Sequence, residues 1–327
     1  MSDSGWKNAF KNLIRDPRVL LARLNLDDEP YLGAAQKAAQ LFPLRVSESF
    51  VGRMRKGDPQ DPLLRQILPL EAEWDDTEGF SADPLNERES NPIPGLLHKF
   101  KGRVLLTVTS ACAVHCRYCF RRYFPYGENN PGQSQWPQVF DYIKADSSIH
   151  EVILSGGDPL TLDDDYLKFF FEQLSLISHV NIVRIHTRVP IMIPERVTDE
   201  LIATLTGTRL KPVMVVHCNH AQELDEAVGA ALQKFAFKMQ VLNQSVLLRG
   251  VNDDVDTLSL LSEKLFAYDV LPYYLHQLDP VKGTAHFAVE DETAIRLHQQ
   301  MAAQLPGYLV PRLVREVPGH TAKQILY

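Results

Sequence analysis

Apolar positions fall into two regimes along the chain. Over the first hundred residues they recur at helical spacing, in Trp6–Leu24 and again in Ala34–Leu41, and loops break them up. Arg53–Leu68 continues this pattern but is interrupted by Pro59 and Pro62. Glu71–Pro94 is polar and acid-rich, with Pro84, Pro92 and Pro94; it reads as an ordered connector that packs on the main domain as a cap and carries no catalytic signature. From Arg103 short β-branched runs take over: Val104–Val108, Val152–Leu154, Ile182–Ile185, Val213–Val216, Val246–Leu248 and Leu271–Leu275. Helical stretches lie between them, at Asp164–Ile177, Thr198–Leu205, Ala221–Phe235 and Thr257–Tyr268. That alternation predicts an α/β fold with a parallel sheet and crossover helices. Six such units make a partial (β/α)6 barrel of the TIM type; an open doubly wound sheet is the competing topology, and periodicity does not separate the two. A further helix over Thr293–Leu305, a short run over Tyr308–Val314 and a tail to Tyr327 complete the chain. The expected organisation is a helical N-terminal extension over 1–96, a core over 97–300 and a C-terminal segment over 301–327.

Composition narrows the function. The chain has 34 Lys+Arg against 41 Asp+Glu, a formal charge of −7, which argues against a general partner of nucleic acid or of anionic membranes. No apolar run approaches the roughly 20 residues that span a bilayer. The opening residues lack the charged-then-apolar pattern of a secretory signal, so the cytoplasm is the expected location. Of four cysteines, Cys112, Cys116 and Cys119 fall within eight residues. A disulfide framework does not bunch its cysteines in this way, and clustered thiolates point to metal.

In a parallel barrel the chemistry sits at the carboxyl ends of strands, and the marked polar residues fall there. The three cysteines follow the first run and Ser155-Gly156-Gly157-Asp158 the second. His186, Thr187 and Arg188 follow the third, and His217, Asn219 and His220 the fourth. Arg249 follows the fifth and Asp279 lies just past the sixth. Three thiolates on one loop can hold three irons of a [4Fe–4S] cube and leave the fourth iron open to bind and activate a small molecule. A structural zinc site is the alternative, although zinc sites usually pair their ligands. Cys218 reads as a small packed residue.

The spacing Cys112-x-x-x-Cys116-x-x-Cys119, with Tyr118 before the last cysteine, is similar to the motif of the radical S-adenosylmethionine (SAM) superfamily. Ser155-Gly156-Gly157-Asp158-Pro159-Leu160 resembles that superfamily's glycine-rich motif, which contacts the SAM amino group. Cys116-Arg-Tyr-Cys119-Phe-Arg121-Arg122, His217-Cys-Asn219-His220, Asn243-Gln-Ser-Val-Leu-Leu-Arg249 and Pro272-Tyr-Tyr-Leu-His276-Gln-Leu-Asp279 narrow the resemblance to the lysine 2,3-aminomutase family, over roughly Leu97 to Lys323. That resemblance implies three cofactors, a [4Fe–4S] cluster, SAM and pyridoxal 5′-phosphate (PLP), together with an external one-electron reductant. The cofactors carry the difficult chemistry while the protein supplies positioning and a water-poor cavity.

Residue roles follow from the same resemblance. Lys323, in Glu316-Val-Pro318-Gly319-His-Thr-Ala-Lys323, takes the place of the PLP lysine, although three glycines of the family motif are lost. Arg121 corresponds to the arginine that holds the substrate carboxylate, with Arg122 as the surface member of the pair. Asp279 and Glu316 correspond to the two acids that grip the substrate's ε-ammonium; Glu316 stands where the family typically has Asp. Arg103 aligns with a residue near the PLP phosphate, and His276 replaces a tyrosine near the PLP ring. His217, Asn219, His220 and Arg249 are cavity-lining candidates.

No cysteine lies beyond Cys218, so a C-terminal zinc site of the metabolic enzymes is not expected. The chain resembles the short bacterial form that makes (R)-β-lysine for elongation factor P, which a lysyl-tRNA-synthetase-like ligase attaches. The alternatives are a metabolic lysine 2,3-aminomutase making free β-lysine, a glutamate aminomutase, which Asp279 and Glu316 would disfavour by repelling a second carboxylate, and a non-catalytic iron–sulfur or zinc scaffold.

Overall fold

The computed structural model describes residues 4–26, 29–129 and 131–326. Among the described residues nine strands form one sheet: β1 (Leu96–Phe100), β2 (Arg103–Thr109), β3 (Glu151–Gly156), β4 (Ile182–Thr187), β5 (Lys211–His217), β6 (Gln240–Val246), β7 (Leu271–His276), β8 (Arg312–Arg315) and β9 (Gln324–Ile325). Their spatial order is their chain order. A doubly wound sheet would reverse direction at a switch point, so this is the barrel-type winding. The sheet stays open, and β2 through β8 run parallel. The antiparallel strands β1 and β9 border this run at its two ends. The segment Tyr308–Val314 therefore yields one more parallel strand than the six expected. β8 carries the chain directly to Glu316 beside β7.

Several boundaries differ from the apolar pattern. The run Val246–Leu248 marks the end of a strand rather than its body, because β6 has polar residues on a buried face. Asn243 Nδ2 and Ser245 Oγ both donate to the Cys218 carbonyl, at 3.1 and 2.8 Å. Trp6–Leu24 forms two helices, Ser4–Lys11 and Pro17–Arg23. The second starts where the Asp16 side chain accepts from the Arg18 N–H and Pro17 opens the first turn. Ala221–Phe235 is split into a 3-10 turn, Ala221–Glu223, and a helix, Glu226–Ala236, capped by Asp225.

The N-terminal extension and the barrel share one apolar core. Leu20, Leu21, Phe50, Leu63 and Leu64 belong to the same buried cluster as Val152, Leu154, Phe170 and Phe171. A smaller cluster, built on Leu258, Leu275, Leu297, Met301 and Leu313, fastens β8 to the barrel. Among the described residues no helix is long and apolar enough to cross a membrane.

Candidate active site

The three cysteines sit on the loop that leaves β2, and the N-terminal extension clamps that loop. The Arg45 guanidinium donates to the Cys112 carbonyl at 3.1 Å, and the backbone N–H groups of His115 and Arg117 donate to the carbonyls of Arg45 and Gln66. Glu73 lies beneath the loop with its side chain fully buried. It accepts from Arg117 Nε at 2.8 Å and Nη2 at 2.5 Å, and from Arg122 Nη2 at 2.6 Å. Arg122 is thus a buried structural cation and not the surface residue expected. The connector that carries Glu73 likewise does more than cover the core.

Burial, then Asp158 and the neighbouring thiols, push the Cys112 thiol well up, and burial with Cys116 brings Cys119 up to about 11. Buried thiols crowded on one loop need a cationic partner to ionise together. Among the described residues, no three His, Cys, Asp or Glu side chains converge tightly enough for a single metal ion. Three thiols on one short loop are the donor set of a [4Fe–4S] cube, one thiolate to an iron, and a guanidinium beside one of them suits an anionic thiolate cluster. Arg188, fully buried, donates to Cys116 Sγ (2.9 Å), Tyr118 Oη (2.7 Å), Gln66 Oε1 (2.6 Å) and Glu223 Oε2 (3.0 Å).

The glycine motif serves the cysteine loop. A Cβ on Gly156 would lie 2.6 Å from the Thr109 carbonyl oxygen, and one on Gly157 would lie 2.4 Å from that of Ala111. The backbone N–H groups of Gly157 and Asp158 donate to those same oxygens. The close approach is therefore to the chain just ahead of Cys112. Asp158 was expected at SAM, but its carboxylate points into the protein: Oδ1 accepts from Thr187 Oγ1 (2.6 Å) and the Leu160 N–H, Oδ2 from the N–H groups of Arg188 (2.6 Å) and Val189. It ties β3 to β4 and leaves only the motif's backbone and Ser155 for a ligand.

A chain of alternating charges crosses the barrel mouth. Arg121 Nε and Nη2 bond both oxygens of Glu87 at 2.7 and 2.8 Å, while Nη1 donates to Ser155 Oγ at 3.1 Å. Glu87 Oε1 also meets Lys99 Nζ at 3.1 Å. Lys99 Nζ donates to Glu316 Oε1 at 2.9 Å, and Lys323 Nζ to Glu316 Oε2 at 2.5 Å. Against the upward push of burial, Lys323 and Lys99 bring the Glu316 carboxyl down to about 2. Asp279 goes the other way: burial, then Glu316, push it up to about 7. His276 is lowered to about 3 by burial and by Lys323, and burial, Arg184, Lys323 and Arg121 keep His186 neutral.

This space suits a phosphorylated aldehyde. It holds a primary amine in Lys323, and two buried nitrogens, Arg184 Nε and His186 Nε2, lack a protein partner. Arg103 lies at the opposite end of β2 from the cysteines, stacked on Phe100. Arg184 Nη2 pairs with Glu151 Oε2 at 2.8 Å, so only its Nε is left for a ligand.

The lining candidates divide. His217 Nε2 contacts Tyr118 Oη at 2.8 Å, and Asn219 is buried on Tyr118 and Gln66. His220 instead caps the turn at Ala221, and Arg249 is exposed, away from any lining role. Pattern reading missed Glu73, Glu87, Lys99 and Arg184. The two acids sit in a loop full of acids, and nothing in their spacing marks them.

Comparison with known proteins fits this site. Residues 106–214 match the radical SAM superfamily. The L-lysine 2,3-aminomutase of Haemophilus influenzae is 46% identical over 324 residues, covering 99% of this chain and 96% of that protein. The Escherichia coli protein of the same name is 46% identical, covering 98% of this chain and 94% of its own length. That of Clostridium subterminale is 34% identical over 99% of this chain and 78% of its own. With the cysteine loop, the glycine motif and Lys323 in one open barrel, and with identity running through nearly the whole length, the chain belongs to the L-lysine 2,3-aminomutase family of radical SAM enzymes.

Proposed function

We propose that this chain converts L-lysine to (R)-β-lysine by moving the 2-amino group to carbon 3, that it depends on PLP to do so, and that its product modifies elongation factor P in the cytoplasm. Membership of the family implies a [4Fe–4S] cluster, SAM and PLP. When bound, the cluster and SAM supply a hydrogen-abstracting carbon radical, and PLP supplies an electrophilic carbon for the migrating nitrogen.

In this reading Cys112, Cys116 and Cys119 hold the cluster, and Ser155 with the backbone of Gly156 and Gly157 faces SAM. Lys323 holds PLP, with Arg103 and Arg184 at its phosphate and His276 at its ring. Arg121 receives the substrate carboxylate through its Nη1–Nη2 edge, which no carboxylate bridges and where Nη1 meets only Ser155 Oγ. Asp279 and Glu316 receive the ε-ammonium.

The observation that carries the proposal is the separation of charge in the barrel mouth. Arg121 lies at one end of the linked chain and Glu316 at the other, with Asp279 within reach of Glu316 and Lys323 bonded to it. A diamino acid is complementary to that array, and a dicarboxylic acid would meet two acids. Lys323 Nζ occupies Glu316 Oε2 here; with Lys323 holding PLP, that oxygen would be open to an ammonium. His276 and His186 stay neutral, so they add no competing positive charge.

The test is anaerobic incubation with L-lysine, SAM, PLP and a one-electron reductant, followed by chiral analysis of the product. (R)-β-lysine is expected, and unchanged L-lysine would refute the activity. For the pathway, deletion of the gene should remove the β-lysyl mass increment from elongation factor P and leave free β-lysine metabolism untouched. Intact modification would favour the metabolic alternative.

A further inference from the structure

Glu87 comes from the connector, yet it sits deeper than most residues of the site, with 3% of its surface exposed. Its backbone is fixed. The Asp83 carboxylate accepts from the N–H groups of Glu87 and Arg88 at 2.9 and 3.3 Å, and Asn86 takes a left-handed turn at φ 47°. The His98 N–H donates to the Ser90 carbonyl at 2.8 Å, so the connector is fastened to β1 beside Lys99. The Glu87 carboxylate has its full complement of strong donors: both oxygens take Arg121, and Oε1 also takes Lys99.

A guanidinium has two edges that can each accept a carboxylate, Nε–Nη2 and Nη1–Nη2. Glu87 occupies the first. Arg121 is thereby held end-on, with Nη1 beside Ser155 Oγ and its second edge unclaimed by any carboxylate. A lone arginine on a flexible stem would lose much of that orientation, and carboxylate recognition by a planar fork depends on it. Through Lys99, the same carboxylate is tied to Glu316 Oε1 at the far end of the pocket.

We propose that Glu87 is a positioning residue that locks Arg121 for an α-carboxylate, and so sets the preference for amino acids over simple diamines. This rests on the reading of Arg121 given above. It concerns the carboxylate end of the pocket only.

The test uses protein reconstituted anaerobically with cluster and PLP, in wild-type, Glu87→Gln and Glu87→Asp forms. Calorimetry measures the affinity for L-lysine and for 1,5-diaminopentane, which keeps both amines and lacks the carboxylate. Glu87→Gln should weaken L-lysine by about thirtyfold and diaminopentane by less than about threefold, in line with losses when one partner of a buried charge pair is removed. Glu87→Asp keeps the charge and should recover part of the loss. Iron content and PLP absorbance should stay at wild-type levels. Equal weakening of both ligands, or no weakening of either, overturns the proposal. If Glu87→Gln does not fold, the same selective loss must appear in Glu87→Asp, and its absence there overturns the proposal. If wild type binds the two ligands equally, the Arg121 assignment itself fails and takes this inference with it. A wild-type preference that persists in both variants removes Glu87 alone.

Discussion

The cysteine loop and the Lys323 loop both edge the barrel mouth, but they are built in opposite ways. Residues 112–122 are held from below by Glu73, through Arg117 and Arg122, and from the side by Arg45 and by Gly156 and Gly157 at the end of β3. Between Val317 and Lys323 the chain is mostly exposed, and its turn is closed by one backbone bond, from the His320 N–H to the Val317 carbonyl at 3.2 Å. What anchors it is β8 behind and the short β9 ahead, with Lys323 turned in to Glu316. On the proposed reading a metal cluster needs three ligands fixed in advance, which suits a loop braced on several sides with its cysteines half-buried. A PLP lysine, on the same reading, needs one amine delivered to one place, and a loop fastened at its ends suffices. The lost glycines fit this picture. Only Gly319 adopts a left-handed conformation, at φ 79°, and His320, Thr321 and Ala322 do not need one.

The largest effects should come from removing either functional end, because the two ends act separately. Cys116→Ala should abolish SAM cleavage and leave PLP absorbance intact, and Lys323→Ala should lose the PLP absorbance while keeping its iron. If either variant lost both cofactors, the two loops would be one coupled unit. Next is Glu73→Gln, which leaves Arg117 and Arg122 buried with no full counter-charge. A loss of about 3–5 kcal/mol in stability is expected, with a fall in bound iron, read by thermal melting and iron analysis. An unchanged melting temperature would show that Glu73 does not brace the loop.

Asp279 gives a pH signature. Its folded-state value lies near 7, above that of an ordinary carboxyl, so in the substrate-free protein it is protonated at lower pH. An ammonium ligand needs it ionised. L-lysine affinity should therefore rise as pH rises through about 7 and level off above it, and Asp279→Asn should bind weakly with that step gone. A flat profile in wild type would remove Asp279 from the ammonium site. The smallest effect is expected at Gly319→Ala. A left-handed non-glycine residue costs about 1–2 kcal/mol, and nothing crowds a Cβ there. PLP affinity should drop a few-fold with the cluster untouched, and an effect as large as that of Lys323→Ala would mean the loop is far stiffer than its single bond suggests.

The two kinds of loop also differ in how readable they were. CxxxCxxC is a local signal, since three thiols within eight residues lie close whatever the fold. Parallel winding was visible because most of the strands are apolar runs, and the chain positions of Cys112, Ser155 and Asp279 at strand ends followed from it. Runs containing polar residues failed. Asn243 and Ser245 hid most of β6, because their buried side chains satisfy the Cys218 carbonyl. Arg122 passed for a surface residue because a charge inside a protein looks no different in sequence from one outside.

The sequence by itself determined the cysteine cluster, the glycine motif, the strand–helix alternation and the lysine in register with Pro318-Gly319, because each is encoded by neighbours in the chain. Only the tertiary structure decided which acids serve those parts. Glu73 and Glu87 come from a connector of many similar acids. Their importance arises from the arginines they meet across 44 and 34 residues of chain. A charge pair formed across such a distance leaves no periodic trace, because its energy depends on burial and geometry that exist only after the barrel has closed around it.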